Sequence, residues 1–497
     1  MLTSSAHRKE ATKRLRAGPV AAAALTIAAA AAYSAISLYR HERFGSTVDL
    51  ATQDQTIWGY SRLEMIPNTV IEIRNLLGDH FHPMLMALAP LYWVWNSPEV
   101  LLVAQGALLA LAGVPIYLWA ARQLGELAAL AFQASYLLFW GILAGVLFDF
   151  HNVVLAVPAI STALYAMLER RNRLLWAMVA IALLAREDIA LTLIALGLYV
   201  IAVQRRYVLG SAIAGLSAAW FLLILGVVIP AIRGGPYRHW TYTDLGTGPS
   251  SAAIFVITHP LQSLELLFVP LAKTRIWIGT LASWLFLPVA SPIALIAFPY
   301  LAERFWSVAP TFWTFHLEYS MVPAPILAFA AIDTVARAKR VFGGQVGKRA
   351  VAVASAGVVV AAALLSFLIN PLDELRTYVS ASTATDIQAC LDIIPPGASV
   401  AATQELLAHL SHRHAIYQIP DDHDTTVEYI AIDLASDGNN EQQLRDLVRS
   451  ALASGYGVAC ARELTVVLAR RGATDQALPP RMVRWLNGEC EGRACLA

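Results

Sequence analysis

A chain of 497 residues that is 57% hydrophobic and 14% charged falls far below the about 25% charge of an average soluble domain, which excludes an ordinary soluble protein. With a mean hydropathy of +0.56 it reads as an integral membrane protein. Its formal net charge of +1 supplies no basic field of the kind that draws nucleic acid.

In chain order, a basic N-terminus, HRKEATKRLR, precedes an apolar run from Gly18 to about Tyr39. A run of about 22 residues suits a full span better than the short core of a cleaved signal peptide, so it is read as an uncleaved first span. The first long polar interruption follows, from Arg40 to Pro83. Within it, Thr47–Ser61 and the apolar Pro83–Trp95, which ends in Trp and Tyr, are expected as helices lying at the membrane interface. Further apolar runs lie near 98–121, 126–147, 152–168, 174–186, 188–204, 208–230, 276–289, 291–302, 319–337 and 350–369. About eleven spans are therefore expected, although 174–186, 276–289 and 291–302 fall short of the usual ~17 residues.

The distribution of Lys and Arg places the N-terminus inside, with short, plain inner loops such as LERRNR and VQRRY. The outer loops are then Arg40–Pro83, Phe148–Asn152, Ala185–Ala190, Arg233–Ser251 and Glu303–Ser320. Nearly every cluster of acidic, His and aromatic residues falls in them. That asymmetry predicts a site at the outer membrane surface, built from several loops.

After about Asn370 the composition becomes polar and mixed. IPPGASVAAT, AIYQIP and VEYIAIDL read as strands, TQELLAHLSHRH and NEQQLRDLVRSALASGYG as helices, and VACARELTVVLARR as a terminal hairpin. The expected division is a transmembrane domain over 1–370 and a small soluble α/β domain over 371–497, outside the cell membrane. All four cysteines, Cys390, Cys460, Cys490 and Cys495, lie in this tail, without CxxC or Cys/His zinc spacing. Pairing of Cys390 with Cys460 and of Cys490 with Cys495 fits an oxidising compartment, but spacing does not fix connectivity.

The candidate chemistry sits in the outer loops. Asp49 and Asp54 follow the first span, where a carboxylate can take a proton or hold a metal, or simply cap a helix. GDHFHP gathers Asp79, His80 and His82, and FDFHN places Asp149 and His151 at the start of a span. Both series are compatible with metal ligation but lack a defined third ligand. Arg186-Glu187-Asp188 sits between two apolar stretches, either as an internal ion pair or with Arg186 as a phosphate fork. Tyr237, Arg238, His239 and Tyr242 follow a Gly-Gly-Pro turn, and His316, Glu318 and Tyr319 open the tenth span. The span interiors carry almost no charge, which argues against a proton- or ion-coupled transporter.

The series DLATQDQTIW, NLLGDHFHP, LFDFHN, AREDIAL, GGPY and FHLEYS, with the tail IPPGASVAAT…LSHRHAIYQIP, resembles an uncharacterised domain-of-unknown-function family of prokaryotic membrane proteins. The likeness runs roughly from Val48 to Leu434. The chain departs from the family at Ala51, where Gly is usual, and at His82, where Ser is common, which removes His82 as a shared ligand. The family is grouped with the GT-C glycosyltransferases, polytopic enzymes that take a sugar from a polyprenyl-phosphate donor on the outer face. The resemblance implies an all-α polytopic GT-C-like fold with the small C-terminal domain appended. It also implies an acid in the first outer loop that activates the acceptor, for which Asp49 is the nearest match and Asp54 the second.

The expectation is thus an integral plasma-membrane glycosyltransferase. Asp49 and Asp54 are its catalytic candidates. His80, His151, Arg186, Tyr237, Arg238, His316, Glu318 and Tyr319 are candidates for the substrate and its phosphate, and Asp49, Asp79 and Asp149 for a divalent ion. Its partners would be a polyprenyl-phosphate-linked sugar, the bilayer, and an envelope glycan, lipid or protein acceptor. The alternatives are a transporter or flippase of a lipid-linked substrate and a non-catalytic assembly or sensor protein.

Overall fold

The computed structural model describes residues 3–235, 237–369, 375, 379–419, 427–434, 441–462, 465–470 and 478–490. The expected first span is the long helix α1 (Thr3–Glu42). A short turn leads into α2 (Val48–Ser61), and Pro83–Trp93 follows as a 3-10 helix. Next come α3 (Glu99–Leu111), α4 (Gly113–Leu124), α5 (Glu126–Leu137), α6 (Trp140–Leu147), α7 (Ala156–Leu168), α8 (Asn172–Ala185) and α9 (Ile189–Ala202). Helix α10 (Tyr207–Leu223) widens into a π turn at Ile224–Val228 and continues as α11 (Ile229–Arg233). Pro230 has no N–H to return to the preceding turn, which accounts for the widening. Gly234, at φ 77°, then ends the helix in the left-handed conformation that glycine tolerates best.

Among the described residues, five helical stretches are long and apolar enough to cross a membrane: Ala17–Glu42, Glu99–Leu124, Tyr207–Arg233, Glu318–Phe342 and Gly344–Ile369. The bent pair α5–α6, with a 42° bend, makes a sixth. The expected count of about eleven is not reached on this measure. Asn152–Leu168, α8 and α9 are apolar but short. A 14-residue helix rises only about 21 Å, against about 30 Å of hydrocarbon. The segments expected at 276–289 and 291–302 are interrupted. Helix α14 (Leu271–Ala282) stops where Leu285 and Phe286 take positive φ. Pro288 and Pro292 then impose 3-10 turns at Leu287–Ala290 and Pro292–Ala297 before α15 (Phe298–Trp306). Two further short helices, α12 (Pro249–Thr258) and α13 (Pro260–Leu266), precede α14.

Helix α16 (Pro323–Phe342) forms the middle of the bundle, with 83% of its apolar window buried, whereas α17 (Gly344–Ile369) and α1 lie at its edge, each with 22%. Helices α9 and α10 touch backbone to backbone at Gly197 and Gly210, where a Cβ on Gly210 would stand 2.6 Å from the Gly197 carbonyl oxygen.

Beyond the bundle lie α18 (Ala381–Leu391), β1 (Val400–Ala402), α19 (Gln404–Leu410), β2 (Ile416–Gln418), β3 (Tyr429–Asp433), α20 (Glu441–Ala453), β4 (Gly457–Arg462), β5 (Thr465–Ala469) and α21 (Pro480–Leu486). The strands form one sheet in the order β2-β1-β3-β5-β4. β1 runs parallel to β2 and β3, while β5 pairs antiparallel with β3 and β4, so the expected terminal hairpin is β4–β5. A disulfide joins Cys390 on α18 to Cys460 on β4. Cys490 is also disulfide-bonded. Cys495 and the expected domain boundary at 370–371 lie outside the described residues.

The sheet is tied to the first loop. Thr69 Oγ1 donates to the Ile416 carbonyl at 2.7 Å and accepts from its N–H at 2.9 Å. Gln55 Nε2 donates to the Arg413 carbonyl at 3.0 Å. Helix α2 is therefore covered by the sheet rather than open to solvent. Every residue from Leu50 to Tyr60 is buried, polar ones included. A helix so polar is tolerated inside because its groups find partners. Asn68 Nδ2, for example, donates to the Thr52 carbonyl at 2.7 Å and to Thr56 Oγ1 at 2.9 Å.

Candidate functional site

The site begins at the N-terminus of α2, where backbone N–H groups have no partner within the helix. Thr47 does not cap them with its own side chain. Asp149, from the loop after α6, does so instead. Its Oδ2 accepts from Thr47 N at 2.8 Å, Thr47 Oγ1 at 2.8 Å and Leu50 N at 3.2 Å, while Arg40 Nη1 lies 2.6 Å from its Oδ1. Gln105 on α3 fixes that loop: its Nε2 donates to the carbonyls of Gly145 and Asp149, and its Oε1 accepts from His151 N–H.

Asp49 stands in the first turn of this capped helix and has no hydrogen-bond partner among the described residues. Burial pushes its carboxyl up to about 6. Nearby His151 draws it down, and Asp149, Glu318 and Asp79 add to the rise. Beside it, His151 Nε2 lies 3.4 Å from Glu318 Oε1. His151 Nδ1 and Glu318 Oε2 are buried without partners.

A second cluster adjoins the first. Gly78 lets its loop press against the end of α11, since a Cβ there would lie 3.1 Å from Arg233 N. Asp79 is thereby delivered to the 237–239 segment, where its Oδ1 lies 2.6 Å from Arg238 Nη2 and 2.9 Å from His239 Nε2. The His80 and His239 rings stack at 4.4 Å. His80 Nδ1 lies 2.6 Å from Glu187 Oε1, and Phe81 N–H donates to Glu187 Oε2 at 2.8 Å. Burial opposes charge on each partner. Even so, the neighbouring cations hold Asp79 well below the usual carboxylate range, and the His80–Glu187 contact raises the imidazole and lowers the carboxyl. Arg186 forks onto Asp188 through Nε and Nη2. Tyr237 donates to Glu187 Oε1 at 3.4 Å.

The third wall is α15. Tyr242 donates to Glu303 Oε1 at 3.3 Å, and Glu303 Oε2 is buried without a partner. Burial, with Asp188 and Glu187 nearby, pushes the Glu303 carboxyl up to about 8. The adjacent Arg304 is wholly spent on structure, donating to the Phe312 and Thr314 carbonyls and to Ser320 Oγ, which fixes the loop ahead of Glu318.

A model of the predicted membrane protein family DUF2079 matches residues 40–466. The chain belongs to this family. No curated protein matches it. Among solved structures it is similar to ArnT from Cupriavidus metallidurans bound to undecaprenyl phosphate, at a TM-score of 0.49 and 13% identity over 90% of this chain and 99% of that one. It is also similar to the Archaeoglobus fulgidus oligosaccharyltransferase tethered to an acceptor peptide, at 0.41 and 11% over 92% and 74%.

In this DUF2079 chain, the residues singled out from sequence separate according to what the fold places around them. Asp49, Asp79, His80, His151, Arg186, Tyr237, Arg238 and Glu318 belong to the adjoining clusters above. Asp54 does not: it is fully buried and accepts from Tyr92 and Ser411 at 2.5 Å each, with His412 Nε2 at 3.1 Å. His316 is exposed, whereas Tyr319 stacks on Phe312 at 4.5 Å and borders the clusters, since Glu318, Arg186, Tyr300 and Asp49 act on it electrostatically. His82 is buried with both ring nitrogens unpartnered, and burial lowers it to about 4.

For a metal, the ligand atoms of Asp79, His80 and His239 lie within 4.8 Å of one another, a trio that differs from the expected Asp49, Asp79 and Asp149. Asp149 has both oxygens committed to Arg40 and the α2 cap. The spacing of the trio admits an ion, but its charge does not. Arg238 already neutralises Asp79, so a cation there would face a guanidinium. Sequence reasoning did not single out Arg40, Gln105 or Glu303. An acid next to Arg at the end of the apolar run before FWSV was the available signal for Glu303.

Proposed function

We propose that this protein is an integral-membrane glycosyltransferase that takes a sugar from a polyprenyl-phosphate donor, with Asp49 as the general base. Most acids of the site lie against a basic side chain: Asp149 has Arg40, Asp79 has Arg238, Glu187 has His80, Asp188 has Arg186, and Glu318 has His151. The observation that carries the reading is that Asp49 has none within ion-pair distance among the described residues. Its helix is fixed at the N-terminus by another loop, and its proton affinity suits abstraction near neutral pH. The resemblance of the loop motifs to the GT-C enzymes supplies the reaction class, an associational support.

In the reaction, the acceptor hydroxyl oxygen bonds to the anomeric carbon. The bond from that carbon to the phosphate oxygen breaks with its electron pair, polyprenyl phosphate leaves, and the hydroxyl proton passes to Asp49. Arg238, with a side chain 36% exposed, and the raised His80 are the cations best placed to meet the phosphate. Arg186 is held by Asp188 and serves to shape the site. Asp54 anchors α2 and takes no part in proton transfer. On this reading the site faces outward, the N-terminus is cytoplasmic, and residues 371–497 form an extracytoplasmic domain. The Cys390–Cys460 disulfide supports that side.

The test is transfer from radiolabelled polyprenyl-phosphate sugars by the full chain in lipid nanodiscs. Wild-type protein should form product, and folded Asp49→Asn should not. An Asp49→Asn protein that transfers at the wild-type rate would overturn the assignment.

A further inference from the structure

Asp49 is one of two carboxyls in the site that have no basic side chain within ion-pair distance among the described residues. The other is Glu303. It sits one helical turn after Tyr300, so the two share a face of α15. That face looks toward the turn between α8 and α9. Asp188, Arg186 and Glu187 act on Glu303 electrostatically, and Arg186 and Asp188 act on Tyr300. Arg186 offsets part of this rise, but its fork is closed on Asp188 and it makes no ion pair with Glu303 among the described residues. Tyr242 and Tyr237 face it from the 237–242 segment. A buried carboxyl among acids and phenols, with no cation of its own, is stable as the neutral acid. Since Glu303 Oε1 accepts from Tyr242, the acid proton belongs on Oε2. Glu303 Oε2 and the Tyr300 hydroxyl are both buried and both lack a partner among the described residues. Two solvent-excluded hydrogen-bonding groups on one helix face call for a ligand that brings oxygen acceptors to them.

We infer that Tyr300 and Glu303 form a binding subsite for a neutral, hydroxyl-bearing group, which in the reaction proposed above is the sugar of the donor. A phosphate is disfavoured there, because Asp188 and Glu187 repel an anion and the nearby guanidinium is engaged. This subsite rests on the glycosyl-transfer reading for the identity of its ligand, but not for its chemistry.

A hydrophobic carbodiimide reacts with protonated buried carboxyls and separates the two questions. The full chain in nanodiscs is treated with dicyclohexylcarbodiimide and modified peptides are mapped by mass spectrometry. Glu303 should be modified at pH 7 and about tenfold less at pH 9, since it ionises near pH 8. Polyprenyl-phosphate hexose should protect it, and polyprenyl phosphate alone should not. In the transfer assay, Glu303→Ala should raise the donor KM about tenfold and Tyr300→Phe about threefold, with kcat less affected. Glu303→Gln, which keeps a neutral donor, should fall between wild type and Glu303→Ala. No modification at pH 6, equal protection by the bare lipid phosphate, or a wild-type KM in Glu303→Ala each overturns the subsite. If wild-type protein transfers no sugar, the glycosyl-transfer reading fails, and protection by the hexose lipid then decides the subsite alone.

Discussion

Asp49 and Asp54 stand on the same helix, a turn and a half apart, and are opposite in every physical respect. Asp54 is wholly buried, with Tyr92, Ser411 and His412 around its two oxygens. Asp49 is only partly buried and accepts no hydrogen bond. Asp54 holds α2 between the 83–93 turn and the C-terminal sheet, and Asp49 is the one available for the proposed proton transfer. The difference shows that residue type and position on a motif do not assign a role; the partners opposite do.

The contrast can be broken by mutation. Asp49→Asn is expected to lower transfer by about 10²- to 10⁴-fold, the range of a lost general base. Its thermal stability should be unchanged or higher, because an uncompensated carboxylate is removed. Thermal unfolding of the purified variant checks the second half. For Asp54→Ala the signature is reversed. Three donors lose a buried acceptor, at roughly 1–3 kcal/mol for each group left unsatisfied. The melting midpoint should fall by about 5 °C or more, with residual activity tracking the folded fraction. Equal stability loss in the two variants would erase the distinction.

A pH series sharpens it. Activity should rise as Asp49 ionises through about pH 6 and fall as Glu303 ionises through about pH 8, and Glu303→Gln should remove the upper limb. For stability the sign follows from both folded-state values lying above the ordinary carboxyl range. Their contribution is present below the unfolded pKa and is lost as pH rises through about 6 and about 8. Denaturation midpoints at pH 5 and pH 9 measure it, and a lower midpoint at pH 5 attributable to these groups would contradict the assignment. The smallest expected effect is that of a chelator. With Asp79 already neutralised by Arg238, EDTA should change the transfer rate by less than about twofold. A large loss restored by a divalent ion would show that Arg238 yields its place to a metal.

Membrane residence, the polar first loop, the strands and helices of the tail, and the convergence of separate polar loops were all legible in the sequence, because each rests on local apolarity and alternation. The span count was less so. Pro288, Pro292 and the positive φ of Leu285 and Phe286 break up apolar runs that hydropathy alone reads as two spans, 276–289 and 291–302. Asp149 was read as a possible metal ligand because nothing local reveals that its oxygens close the N-terminus of a helix about a hundred residues earlier. Glu303 passed unnoticed because its carboxyl is pushed up by burial in the fold and by Asp188 and Glu187 from another loop.

The sequence by itself determined where this protein resides and which segments carry its polar chemistry, since transfer into hydrocarbon is a property of each segment taken alone. Only the tertiary structure decided which acids are spent and which are free. Ser411 reaches Asp54 across a separation of 357 residues, and Asp149 reaches Thr47 across 102. The charge and availability of a carboxylate are set by whatever the fold brings within a few ångströms of it.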